Sequence, residues 1–262
     1  MRIQAAPLTR AIASYLPKSN LLGLRRLAGL PAEWRGRPHE EDYLAFRALQ
    51  MRRALVIDVG ANRGQTIGSF MSVLEDPLIH SFEPNPYLAS YLAKRFARSG
   101  VTVYPFGIGS THRVQSLYIP RYGNTLWDTR ASLSREEAEI SLTRRDFWPF
   151  RESRRGIESV DVTVRMLDEF HLAPDILKVD VEGTEDDVIV GARETIEKHL
   201  PIILVEGSAS ASQDWLAQFG YQVHRFEPDA ARFVGGEAGD VNSFLMTPQH
   251  RESFKGLDVI DK

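Results

Sequence analysis

The 262-residue chain contains no cysteine. Disulfides, thiolate metal sites and a cysteine nucleophile are therefore excluded, while the redox state of its surroundings is left open. No apolar run approaches the roughly 20 residues that a membrane-spanning helix requires. The first residues also lack the compact apolar core and small-residue cleavage site of a signal peptide, so a cytoplasmic protein is expected. Neither sign of charge dominates. The 32 Lys and Arg against 35 Asp and Glu leave a net charge of −3, which gives no global argument for nucleic-acid binding. The remaining composition, 43% hydrophobic and 26% charged, is ordinary for a globular protein. The length suits one α/β domain with extensions, and no internal repeat or low-complexity tract is evident.

Against this background one run stands out: Leu55-Val56-Ile57-Asp58-Val59-Gly60-Ala61-Asn62-Arg63-Gly64. An apolar, β-branched stretch ends in an acid, and two glycines then frame a short polar turn. The pattern reads as a buried strand that stops where the backbone must bend beside something needing close approach. Leu78-Ile79-His80-Ser81-Phe82 repeats the strand, ended by Glu83 and Pro84-Asn85-Pro86. A glycine turn after one strand and a carboxylate after the next form a nucleotide-binding layout, the acid being placed for ribose hydroxyls. The spacing is Gly-x-x-x-Gly, without the third glycine of dinucleotide sites. An adenosine cofactor lacking a pyrophosphate fits better, and S-adenosylmethionine is the obvious one.

Strands and helices alternate from about Ala54 to Glu206, which implies a parallel sheet with helices on both faces. Gln65 to Leu74 reads as the first helix. Asn85 and Pro86 suit the cap and first turn of a second, and Val101 to Tyr104 is the third strand. Gly107 to Pro120 reads as turns and a short β-element. Asp175 to Asp180 and Ile202 to Glu206 are the fourth and fifth core strands. Thr184 is placed to cap the helix between them, whose buried stripe is Val188, Ile189, Ala192 and Ile196. Tyr221 to Phe226 and Ser243 to Met246 would close the sheet as an antiparallel pair.

Two stretches depart from this pattern. Residues 1 to 50 are basic, with Arg2, Arg10, Lys18, Arg25, Arg26, Arg35 and Arg37 facing only Glu33 before His39. The favoured reading is a pair of short helices covering one edge of the core. Peripheral contact with an anionic membrane is the other, disfavoured because Pro7, Pro17 and Pro31 cut the segment. Residues 121 to 158 interleave Tyr122, Trp127, Phe147, Trp148 and Phe150 with Arg121, Arg130, Arg144, Arg145, Arg151, Arg154 and Arg155. A segment of this length between core elements reads as a partly helical lid or recognition insert. Its arginines and rings suit an acceptor with anionic groups and sugar faces, and a solvated surface loop is the alternative.

Ligands of open α/β sheets bind outside the carboxyl ends of the strands. Asp58, Glu83, Asp180 and Glu206 all end strands, so they are expected in one crevice. Gly60 and Gly64 would let the backbone pass the methionine part of the cofactor, Asn62 would tolerate an unusual backbone angle, and Glu83 would accept both ribose hydroxyls. The adenine is expected near Phe106, Gly107 and Ile108. In Leu177-Lys178-Val179-Asp180-Val181-Glu182-Gly183, burying such ionisable groups is costly unless they are paired or bind something. Either Asp180 or Glu182 meets the substrate hydroxyl as general base or metal ligand, or Lys178 makes a salt bridge and an acid caps the next helix.

These blocks, with Gly191-Ala192, Leu167-Asp168 and Asn242-Ser243-Phe244-Leu245, resemble the FkbM-like family of S-adenosylmethionine-dependent methyltransferases over roughly residues 54 to 247. The resemblance implies a class I, Rossmann-like fold: a seven-stranded sheet, mostly parallel with one antiparallel strand, and helices on both faces. The expected layout is an N-terminal basic helical extension (1–50), a methyltransferase domain (51–250) carrying the 121–158 insert, and a C-terminal tail (251–262). The implied activity is O-methylation of a small molecule, most readily a sugar of a glycan or glycolipid, with a polyketide-type acceptor as the alternative. Asp58, Gly60, Asn62, Gly64, Glu83, Pro84 and Gly107 form the expected cofactor set, and Asp180 with Glu182 the catalytic pair. A Mg²⁺ held by Asp180 and Glu206 is a variant of the mechanism. An NAD-dependent oxidoreductase is disfavoured by the glycine spacing and by the lack of a Tyr-x-x-x-Lys or His block. A binding protein of the same fold without turnover is the remaining alternative, against which the intact strand-end acids argue.

Overall fold

The computed structural model describes residues 37–49, 51–143, 146, 150–181, 183–207 and 212–261. The expected helices within 1 to 36, and Arg144, Arg145, Phe147, Trp148 and Glu182, lie outside the described residues. A 3-10 segment over Glu41–Ala48 leads into β1 (Leu55–Val59), α1 (Gln65–Val73), β2 (Leu78–Phe82), α2 (Pro86–Arg95), β3 (Val101–Tyr104) and β4 (Gly107–Ile108). Next come β5 (Arg113–Tyr122), β6 (Thr125–Leu126), α3 (Arg135–Ile140) and β7 (Arg155–Arg165). The chain continues through β8 (Ile176–Val179), α4 (Glu185–Gly191), α5 (Arg193–His199), β9 (Ile202–Glu206) and α6 (Gln213–Ala217). It ends with β10 (Gln222–Glu227), β11 (Arg232–Gly235), β12 (Asn242–Met246), α7 (Pro248–Ser253) and β13 (Asp258–Asp261).

The described residues fall into two compact units, one of residues 114–162 and the other of 37–113 with 163–261. In the larger unit nine strands form one mixed sheet in the order β13-β11-β10-β12-β9-β8-β1-β2-β3. From β9 to β3 every pairing is parallel. The sheet therefore exceeds the seven strands expected. It also has more than one strand against the common direction, because β12 is antiparallel to β9, β11 is antiparallel to β10, and β13 follows β11 in parallel. The additions are β11 and β13, four-residue strands at one margin of the sheet, too short to show a clear alternation in sequence. A second sheet has the order β4-β7-β5-β6.

Parallel strands must be covered on both faces, which explains their continuous apolar composition. Alternation sends Val56, Ile79, Ile176, Ile202, Leu204 and Phe244 to one side, against Ile67 and Phe70 of α1, Leu92 of α2, and Tyr43 and Phe46. Ile57, Val59, Leu177, Val179, Ile203 and Val205 face the other way, onto Val188, Ile189, Ala192 and Ile196. Asn85 caps α2 as expected, its side chain accepting from Tyr87 N at 3.1 Å with Pro86 in the first turn. Thr184 makes no side-chain cap to α4. The Glu185 carboxylate instead turns back to Gly183 N at 2.9 Å. No helix among the described residues is long and apolar enough to cross a membrane.

The smaller unit holds two small apolar groups. Leu117, Ile119 and Val162 form one, and Tyr122 with Leu142 forms the other. Asp146 organises its loop by pairing with both terminal nitrogens of Arg130, at 3.1 and 2.8 Å, while accepting from Thr143 N at 2.8 Å.

The described residues just before β1 contribute Tyr43, Ala45, Phe46 and Leu49 to the core of the larger unit. Phe46 is fully buried, with ring contacts to Phe70, Phe244 and Phe254 at 5.2, 5.5 and 6.2 Å. Phe46→Ala is expected to cost about 3–5 kcal/mol in a urea-unfolding measurement; a loss below about 1 kcal/mol would contradict this placement.

Candidate functional site

The turn after β1 is built from backbone conformations that its residue types permit. Gly60 has φ +89°, and a side chain there would run into the Asp180 carbonyl. Asn62 follows at φ +46°, a left-handed conformation that Asn tolerates. Gly64 closes the turn at φ +81° as the cap of α1, with a would-be Cβ 2.7 Å from the Phe96 ring. Gly60 N and Ala61 N both donate to Phe82 O, at 2.9 and 3.2 Å, and Asp180 N donates to Val59 O at 3.0 Å. The turn is thereby clamped between the ends of β2 and β8.

Glu83 stiffens it from the other side. Its Oε2 accepts from Asn62 N at 2.7 Å and its Oε1 from Asn85 N at 2.8 Å, and the residue is buried. Each carboxylate oxygen thus holds a backbone amide. Pro84 stands beside Gly107 of β4, where an added Cβ would lie 3.6 Å from the proline ring. Gly107 is buried and pairs in register with Val164.

Strand register places Asp58 opposite both Ser81 and Lys178, so the three share one face of the sheet. Asp58 is fully buried; its Oδ2 accepts from Ser81 Oγ at 3.1 Å, while its Oδ1 meets no donor among the described residues. Asn62 Oδ1 is a second buried acceptor without a donor. Burial pushes the Asp58 carboxyl from 3.8 up to about 7; the Ser81 hydrogen bond and the Lys178 charge oppose the rise, and the Asp180 charge adds to it.

Lys178 occupies the centre. It is 1% exposed, and its Nζ donates to Asn242 Oδ1 at 2.9 Å and to Val179 O at 3.3 Å, with Asp180 Oδ2 at 3.7 Å. Asn242 Nδ2 donates in turn to Glu40 Oε2 at 2.7 Å and Asp42 Oδ2 at 3.1 Å. Burial raises the Asp42 carboxyl above its ordinary range, against the Asn242 hydrogen bond. Beside this chain the buried Tyr43 hydroxyl lies 3.3 Å from Thr66 Oγ1.

The strand-end acids are therefore gathered in two groups. Lys178 joins Asp58 to Asp180, and Asn62 joins Glu83 to the glycine turn. Glu206 stands in register with Asn242 of β12, and Val205 before it with Val179, which precedes Asp180. Among the described residues no group of three or more His, Asp or Glu is placed to hold a metal ion. Glu40, Asp42 and Tyr43 were not singled out from sequence. The available signal was the acidic run Glu40-Glu41-Asp42 together with Asn242, a polar side chain opening an apolar strand.

A family model described as the methyltransferase FkbM domain matches residues 58–252. No protein of curated function matches the chain. Among solved structures, the chain is similar to the methyltransferase FkbM from Methylobacillus flagellatus KT, at 17% identity and a TM-score of 0.46. That match covers 76% of this chain and 47% of the other, so the chain spans about half that protein's length. It is also similar to precorrin-6y C5,15-methyltransferase from Geobacter metallireducens GS-15, at 12% identity and a TM-score of 0.36 over 77% and 83% of the two chains.

The buried Asp58 carboxyl has a thermodynamic signature. Unfolded, it ionises near 3.8; folded, near 7. Between these values the folded protein holds the extra proton, so this group makes stability fall as pH rises from about 4 to about 7, by on the order of a few kcal/mol, and adds no slope beyond. Asp58→Asn is expected to gain stability relative to the wild type as pH rises from 4.5 to 8 in urea unfolding. An equal difference at both pH values would contradict the assignment.

Proposed function

Because this chain belongs to the FkbM methyltransferase family, we propose that it is an S-adenosylmethionine-dependent O-methyltransferase acting on a small-molecule hydroxyl, favourably a sugar of a glycan or glycolipid. The observation that carries the reading is the pair of buried acceptors lacking donors, Asp58 Oδ1 and Asn62 Oδ1, flanking a turn with no side chain at Gly60. S-adenosylmethionine suits that set, since its ammonium and ribose hydroxyls are donors and its slender methionine arm needs close backbone approach. When bound, the cofactor supplies an electrophilic methyl group on a sulfonium sulfur.

The chain's own residues then have separable tasks. Asp58 accepts from the ammonium in its ionised form. Glu83 accepts from the ribose hydroxyls, its carboxylate already held in position by two backbone amides. Asp180 stands just past β8 with 31% of its side chain exposed, which makes it accessible to an acceptor hydroxyl. There it takes the proton as the oxygen attacks in line, and the rate also gains from holding the reacting atoms together. Lys178 Nζ, anchored on Asn242, fixes the position of the Asp180 carboxylate. The same ammonium would repel a second cation, so the donor set does not fit Mg²⁺ and no step is routed through a metal. Glu182 lies outside the described residues and is given no part.

Calorimetric titration with S-adenosylhomocysteine is expected to give micromolar binding that strengthens as pH rises through about 7, where Asp58 ionises. Glu83→Ala should weaken it at least about tenfold, the order of effect of losing hydrogen bonds to a charged group. Binding of NAD in place of the adenosyl compound would overturn the reading. With an acceptor in hand, Asp180→Asn should retain the cofactor but lose about 10²–10⁴ in turnover; full turnover would remove Asp180 from the chemistry.

A further inference from the structure

The smaller unit contains a concave site of its own. A cleft of about 290 Å³ is lined by Arg121 at the end of β5, Arg135 and Glu139 of α3, Glu152 in the turn before β7, and Arg155 and Gly156 at its start. Its charges are unevenly matched. Glu139 Oε1 pairs with Arg135 Nε at 2.8 Å and Glu152 Oε2 with Arg155 Nη1 at 3.0 Å. Arg121 has no carboxylate partner among the described residues; its Nη1 donates to the Gly123 carbonyl at 3.0 Å. Each guanidinium has five N–H donors, so donors remain on all three arginines after these contacts.

Gly156 explains the pose of Arg121. Its φ is ordinary, so the backbone does not require glycine there. A Cβ at this position would fall 2.8 Å from Arg121 Nη2 and 3.2 Å from Nε. The missing side chain is the space in which the guanidinium lies. The surrounding backbone is also fixed: Arg151 N donates to the buried Tyr122 hydroxyl at 2.8 Å, and Gly123 N donates to Arg154 O at 2.8 Å.

We propose that this cleft binds the oxyanion of an acidic sugar, the carboxylate of a hexuronate or the phosphate of a sugar phosphate. A planar guanidinium fork matches either group with two parallel hydrogen bonds. The volume lies at the small end of ligand sites and suits one sugar ring rather than a nucleotide. As an oxyanion site, the cleft does not rest on the methyl-transfer reading above.

The test is calorimetric titration of the full chain with glucuronate, glucose 6-phosphate and neutral glucose. Wild type, Arg121→Gln and Gly156→Val are compared, with thermal melts establishing that each is folded. One or both anions should bind at least tenfold more tightly than glucose, and the tighter of the two identifies the group recognised. Arg121→Gln should weaken that binding about tenfold. Gly156→Val keeps every charge but displaces the guanidinium, and should weaken it comparably. Anions no tighter than glucose, or unchanged binding by Arg121→Gln, would overturn the proposal. S-adenosylhomocysteine titrated in the same samples separates the two readings, since its failure to bind would sink methyl transfer while leaving the oxyanion site standing.

Discussion

An ammonium inside a sheet is the constraint from which much of this architecture follows. Lys178 lies in a central strand, buried among apolar neighbours, where an uncompensated charge would cost several kcal/mol. Its compensation comes from elements far apart in sequence: Asp58 on β1, Asp180 beyond β8, Asn242 on β12, and through that amide Glu40 and Asp42. One buried cation thereby ties three strands and the segment before β1 to a single end of the sheet. That end is also where the glycine turn leaves its two acceptors without donors. Fold specification and candidate chemistry share the same polar interior.

The parallel half of the sheet was legible because its residues obey local rules. Leu55 to Ile57 and Ile202 to Val205 are continuously apolar since both faces are covered, and Asn85-Pro86 announces a helix by capping chemistry alone. Gly60 was identifiable for the same reason, as the close approach of the Asp180 carbonyl leaves no room for a side chain. The antiparallel half was only partly legible. β11 and β13 are short, and their pairing is decided by neighbours distant in sequence rather than by their own pattern. Thr184 shows the limit of a local rule: the residue type suits a cap, yet its side chain makes none.

Within the site, residue identity was easier to read than the partner of each residue. Glu83 was recognised as a strand-end acid, but its commitment to two amides depends on where Asn62 and Asn85 arrive after folding. Asn242 was part of a weak motif. Its importance comes from contacts some 200 positions away in sequence, which no window of sequence contains. The acids Glu40 and Asp42 sit beside a basic stretch that dominated the reading of the first 50 residues, and that contrast concealed them.

The final strand also has a bearing on how copies of this protein meet. β11 buries Phe233 and Val234 and would otherwise offer a row of unpaired backbone groups at the margin of a large sheet. β13 pairs along its whole length, from Arg232 opposite Asp258 to Gly235 opposite Asp261. The outermost strand is thus only four residues long and begins and ends with an acid. Short, charged margins discourage strand addition from another molecule. Without residues 258–261, β11 itself would become the margin of the sheet, its outer backbone groups left for another strand to pair.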